Sequence, residues 1–116
     1  MNWRRGNRPG GWYPRRGDVC LVSLDKLRPA VVLSSDSLNA HALDVCVLPI
    51  STSEHRAFSL RPKLKAGEGG LEHDSWVKCD QPTTIEKQIV LYPPLGRLPG
   101  STMQTLAAAV RMALEL

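Results

Sequence analysis

No stretch of this 116-residue chain approaches the roughly 18 consecutive apolar residues of a membrane helix, which argues against a helical membrane protein. Its arginine-rich start is followed by no apolar segment of about 7–15 residues, so no secretory signal is expected and the cytoplasm is the default compartment. Cysteine is scarce: Cys20, Cys46 and Cys79 are widely spaced, odd in number and each set in an apolar run. Disulfide frameworks need even counts and metal sites need close spacings, so buried reduced thiols are expected. His41, His55 and His73 fall in loop-like sequence at no ligand spacing, and no metal or other cofactor is expected. There is no G-x-S-x-G elbow, and GEGG at 67–70 lacks the Lys-Ser/Thr of a phosphate loop and reads as a turn. No internal repeat is visible.

Acidic residues are absent from the first sixteen positions, which hold five arginines. The other hundred residues carry 10 basic and 11 acidic side chains, so the net charge of +4 resides in the leader. "MNWRRGNRPGGWYPRR" is rich in Gly, Pro and Arg, and residues 1–15 are expected to form a largely disordered leader ahead of one domain over 16–116. Arg15, Arg16 and the interleaved aromatics offer charge and stacking to a nucleic acid. A solubilising tail is the plainer alternative.

What the chain does have is a series of short β-branched runs. DVCLVSL (18–24), PAVVLSS (29–35) and DVCVLPI (44–50) read as strands, the first two close enough for an antiparallel hairpin. One helical turn is expected after Asp36, a weak strand around 57–60, another from Trp76, and a further one near 88–92. The last sixteen residues predict a helix. Ser101 and Gln104 suggest a capping box, and Met103, Leu106, Ala107, Val110 and Leu114 form an apolar stripe. Together these predict an α+β domain, mainly antiparallel, with a small curled or barrel-like sheet.

Three places carry candidate chemistry. Lys78 and Asp80 interrupt the strand-like "SWVKCD" two residues apart and so share a face, as a solvated ion pair or as part of a site. Arg28 precedes Pro29, which biases it to an extended backbone at a sheet edge, where it is either an ordinary surface arginine, the plainer reading, or a fork that fits a phosphate. Ser51, Thr52 and Ser53 end a strand with three hydroxyls, which are either phosphate donors or ordinary turn residues.

In order, RGDVCLVSLD (16–25), RPAVVLSSDSLN (28–39), VCVLPISTS (45–53), WVKCDQPTTIEK (76–87) and LGRLPGSTMQTLAAAV (95–110) resemble the MazF/PemK/Kid toxins of toxin–antitoxin pairs. The CDQPTTI segment is most similar to the Kid/PemK branch. The resemblance implies a partly open SH3-like barrel of the CcdB/PemK type with a C-terminal helix, paired as a homodimer. It implies metal-independent, sequence-selective cleavage of single-stranded RNA and neutralisation by a cognate antitoxin protein. In that chemistry the 2′-hydroxyl attacks the adjacent phosphorus, leaving a 2′,3′-cyclic phosphate and a 5′-hydroxyl. By resemblance Arg28 is the catalytic arginine, Ser51 the hydroxyl donor, Asp80 the base, and Lys78 the acid or charge stabiliser. Thr52, Ser53, Gln81 and Thr83 would contact RNA, with Arg15 and Arg16 supplying charge.

The chain departs from the pattern in several places, beginning with Ser51 where most members have a threonine and Lys78 where the Kid branch has an arginine. Only residues 24–29 link the first two strands, where the family has a long Gly-rich loop, and Thr83 and Val90 stand where the Kid branch has arginines. The resemblance therefore implies a recognition sequence of its own. Two other functions share the barrel: a non-enzymatic poison of a protein such as DNA gyrase, and a cleavage-dead RNA-binding homologue.

Overall fold

The computed structural model describes residues 8–53 and 60–116. In chain order it contains β1 (Asp18–Ser23), β2 (Leu27–Val32), α1 (Asp36–His41), β3 (Asp44–Ser51), β4 (Lys63–Leu64), β5 (Ser75–Val77), β6 (Thr83–Glu86), β7 (Gly96–Arg97) and α2 (Gly100–Leu114). Every strand pairing among the described residues is antiparallel, in the order β4-β5-β3-β2-β1-β7, with β6 also paired to β3.

β3 organises this sheet. One edge pairs with β2, while the other is divided between β6 at Asp44–Val47 and β5 at Ile50 and Ser51. Beyond β6 the chain returns to β1, where Val90 bridges Val22 and Leu91 N–H donates to the Leu21 carbonyl. The sheet thereby curls into a partly open barrel. Period-two alternation sends one side of each strand inward, where Cys20, Val22, Ala30, Val32, Val45, Val47, Ile85 and Val90 form a buried cluster. The opposite side carries Val19, Val31, Leu48, Ile50 and Val77, which α2 covers with Met103, Leu106, Ala109 and Val110. Complete burial of Leu106 alone stabilises the fold by about 1.5–3 kcal/mol.

Several sequence expectations shift. α2 starts at Gly100 with Pro99 as its cap, and no side chain caps it, so Ser101 lies inside the first turn. The Pro99 carbonyl accepts the first helical hydrogen bond, from Met103 N–H at 3.0 Å, and no capping box forms. Ala109 belongs to the buried stripe, whereas Leu114 is half exposed. The strand expected near 88–92 is a 3-10 turn at Lys87–Ile89 followed by the single Val90 bridge; the strand instead forms earlier, at β6, where it can pair with β3. Most of the weak strand expected at 57–60, and His55, lie outside the described residues. All three cysteines are free, and burial pushes the Cys20 and Cys79 thiols up to about 12.

The leader also departs from expectation over its second half. Residues 1–7 lie outside the described residues, but 8–15 are laid against the barrel. Trp12 packs on the inner cluster and meets Tyr92 edge-to-face at 5.2 Å, and Pro14 is buried. The Arg8 guanidinium donates to the carbonyls of Lys87, Gln88 and Val90. Composition alone misses this because one tryptophan and one proline supply enough apolar surface to fix a short segment.

GEGG is a turn as expected, and it has a packing reason for its glycines. Gly70 has φ +77°, and a methyl group there would run into the Leu95 carbonyl oxygen. The Gly69–Gly70 backbone sits directly against Gly96 of β7. Gly70→Ala should therefore destabilise the protein by more than about 2 kcal/mol, measured as a lower urea midpoint at unchanged slope. Among the described residues no helix is long and apolar enough to cross a membrane.

Candidate active site

The β2–β3 register pairs Ala30 with Pro49 and Val31 with Leu48. Continued two residues further, it sets Arg28 opposite Ser51, although no local sequence signal links them. Residues 26–29 and 50–53 line a groove of about 290 Å³ at this end of the barrel. Arg28, Ser51, Thr52 and Ser53 thus share one concavity.

Arg28 is half exposed, and its Nε lies 3.5 Å from Asp25 Oδ1, an exposed pair across the tight turn. That hydrogen bond also holds the Asp25 carboxyl below the usual carboxylate range. A long, solvated contact of this kind contributes little and exchanges readily for a phosphate, which matches both arms of the guanidinium. Ser51 Oγ accepts from Ser53 N–H at 3.0 Å. A hydroxyl that accepts in this way keeps its own proton for a second partner in the groove.

On the other edge of β3, Ser51 pairs with Trp76 and Ile50 with Val77. Lys78 N–H donates to the Pro49 carbonyl at 2.8 Å, carrying the ladder one residue past β5. Alternation then puts Trp76 and Lys78 on the same face of the sheet as Ser51 and Arg28. Gln81 N–H donates to the Lys78 carbonyl, and Thr83 Oγ1 to the Gln81 carbonyl, which shapes the turn into β6. Asp80 ends this turn in a bidentate pair with Arg61, 3.0 Å at each contact, with both side chains largely shielded. The Arg61 hydrogen bonds hold the Asp80 carboxyl well below the usual range.

Arg15 and Arg16 are not brought to this groove. Arg16 donates to the Leu33 carbonyl through its guanidinium and to Asp36 through its backbone, while Arg15 stacks on Tyr13, 4.6 Å from the ring centre. They lie at the far end of the β1–β2 hairpin, six and seven residues along from Val22, the partner of Arg28, which is about 20 Å at roughly 3.3 Å per strand residue. The charge expected of the leader is spent on holding the chain at the start of α1. Arg61 and Trp76 were not singled out from the sequence as site residues. The signal for Arg61 was present, since Arg-Pro occurs at 28–29 and again at 61–62.

A sequence model described as "PemK-like, MazF-like toxin of type II toxin-antitoxin system" matches residues 15–114. The chain belongs to this family. It is 29% identical to endoribonuclease MazF9 of Mycobacterium tuberculosis, over 88% of this chain and 97% of that one. The M. tuberculosis toxin MazF-mt6 superposes with a TM-score of 0.76 at 31% identity, covering 85% of this chain and 97% of the other. A mycobacterial endoribonuclease solved with its cognate antitoxin gives 0.77 at 25% identity, over 89% and 96% of the two chains. The small barrel with a C-terminal helix is therefore the MazF-type fold, and the groove between β2 and β3 is a feature of a MazF-like toxin.

Proposed function

We propose that this MazF-like toxin cleaves single-stranded RNA in the groove where Arg28 meets Ser51, and so stops translation until an antitoxin binds. The observation that carries the reading is the convergence of a guanidinium and a hydroxyl proton on one groove from two strands. The scissile phosphate lies on Arg28, with Ser51 donating a second hydrogen bond to the oxygen that gains charge in the phosphorane. Asp80 accepts the proton of the 2′-hydroxyl, and Lys78 protonates or stabilises the departing 5′-oxygen. Bonds form from the 2′-oxygen to phosphorus and break from phosphorus to the 5′-oxygen, leaving a 2′,3′-cyclic phosphate and a 5′-hydroxyl. No metal or cofactor takes part in this scheme. DNA, which lacks the nucleophile, escapes.

Thr52, Ser53, Gln81 and Thr83 border the route along which the RNA passes. The toxin acts in the cytoplasm as a homodimer, and its inhibitor is an antitoxin protein encoded with it. The deciding experiment incubates the pure protein with a mixed-sequence transcript in excess EDTA and maps the ends. Cleavage with 5′-hydroxyl ends, lost when the nucleotide at the cut is 2′-deoxy, is the expected result. Intact RNA at high protein concentration would leave the cleavage-dead alternative standing.

A further inference from the structure

The strand pairing beyond β4 and β5 extends past the strands themselves. Lys63 pairs with Trp76 and Leu64 with Ser75, and the same register continues through Val77 N–H to the Pro62 carbonyl and Cys79 N–H to the Leu60 carbonyl. Arg61 is thereby set opposite Lys78, on the face that also holds Trp76, Ser51 and Arg28. From there it reaches diagonally to Asp80, two residues further on, and closes both arms of its fork on the carboxylate. Pro62 keeps Arg61 extended, as Pro29 does for Arg28 on the opposite flank of β3.

We propose that Arg61 is a positioning residue of the RNA-cleaving site: it holds the Asp80 carboxylate in the one orientation from which it accepts the 2′-hydroxyl proton. This rests on the role given to Asp80 above. A carboxylate at the end of a turn rotates about two bonds, and a misplacement of about 1 Å costs on the order of 10²-fold in rate. Two parallel contacts of 3.0 Å remove that freedom. The groups facing Asp80 agree in sign: the Arg61 hydrogen bonds, followed by a backbone hydrogen bond and the charges of Arg61 and Lys78, favour the ionised form and together outweigh the effect of burial. A base acts only when deprotonated, so cleavage is lost on the acid side as pH falls through the Asp80 pKa. Arg61 places that limb below the ordinary carboxylate value of about 4. Without its charge the limb moves to higher pH.

The test uses full-length protein and three variants, Arg61→Gln, Arg61→Lys and Asp80→Asn, each first shown to be folded by circular dichroism. The Asp80 side-chain carboxyl is titrated by ¹³C NMR, which needs no RNA. Cleavage of the mixed-sequence transcript in EDTA is then followed against pH. In Arg61→Gln the Asp80 midpoint is expected to rise by about one pH unit, the acid limb of cleavage to rise with it, and the rate at neutral pH to fall about 10–100-fold. Arg61→Lys should recover part of the midpoint shift and less of the rate, since an ammonium keeps the charge and loses the fork. Adding Arg61→Gln to Asp80→Asn should cost nothing further. An Asp80 midpoint that stays put in Arg61→Gln, or an acid limb that ignores a midpoint that has moved, overturns the proposal. A wild-type protein that leaves RNA intact instead overturns the reaction assigned to the groove, and the titration still decides whether Arg61 governs Asp80.

Discussion

Arg28→Ala is expected to lower the rate of RNA cleavage by about 10²–10³-fold, the loss typical of removing one donor from a developing oxyanion. The fold should barely notice. Arg28 is half exposed at the edge of β2, and among the described residues its guanidinium meets the exposed Asp25 across a tight turn. Surface substitutions of this kind stay within about 0.5 kcal/mol. A thermal melt run beside the cleavage assay should therefore show two overlapping curves and two very different rates. Arg28→Lys should recover only part of the activity, because a point charge cannot take two phosphate oxygens at once. The salt dependence of RNA binding should flatten by about 0.7 in log–log slope, the share of one phosphate contact on a single strand. Full activity in Arg28→Ala would remove the groove between β2 and β3 from the chemistry altogether.

The parts of this molecule legible in its sequence are those where local signals and tertiary contacts agree. β1, β2 and β3 are dense in Val, Leu and Ile, and each sits in the sheet near the place expected. Arg28 and the hydroxyls at 51–53 were legible as site candidates, because proline geometry and a polar strand end mark them locally. That they share a groove was implied only by the family resemblance, because physically it follows from a register set by the pairing of Ala30 with Pro49. Asp80 was singled out together with Lys78, two residues away. Its actual partner is Arg61, nineteen positions back, in a polar stretch whose sequence carries little strand signal. Residues 88–92 had the right composition for a strand, but a 3-10 turn takes up Lys87–Ile89 and leaves a single bridge from Val90 to Val22 of β1. The leader misled for the opposite reason: its composition is that of a disordered tail, and two apolar side chains and one arginine nonetheless tie residues 8–15 to the barrel.

Leu48→Ala is expected to destabilise the protein by about 3–4 kcal/mol, within the range for emptying a fully buried leucine site. Leu48 has no exposed surface, lies in the cluster beneath α2 and pairs in register with Val31. The backbone around it cannot collapse into the cavity, because β3 is fixed by β2 on one side and by β5 and β6 on the other. At about 4–8 °C per kcal/mol for a domain of this order of size, the melting temperature should fall by roughly 12–30 °C. Leu48→Met, which nearly conserves volume, should lose less than about 1.5 kcal/mol and separates the cavity from any effect of the side chain itself. The consequence for cleavage is indirect. Ser51 lies three residues further along β3, and the register that sets it opposite Arg28 is maintained by the pairs on either side of Leu48. While the variant is folded its cleavage rate should stay near that of the wild type, and it should fail at the lower temperature where β3 melts. Arg28→Ala leaves the register and removes the charge, whereas Leu48→Ala leaves the charge and weakens the register. Comparing cleavage against temperature for the two variants therefore separates the chemistry of the groove from the sheet that assembles it.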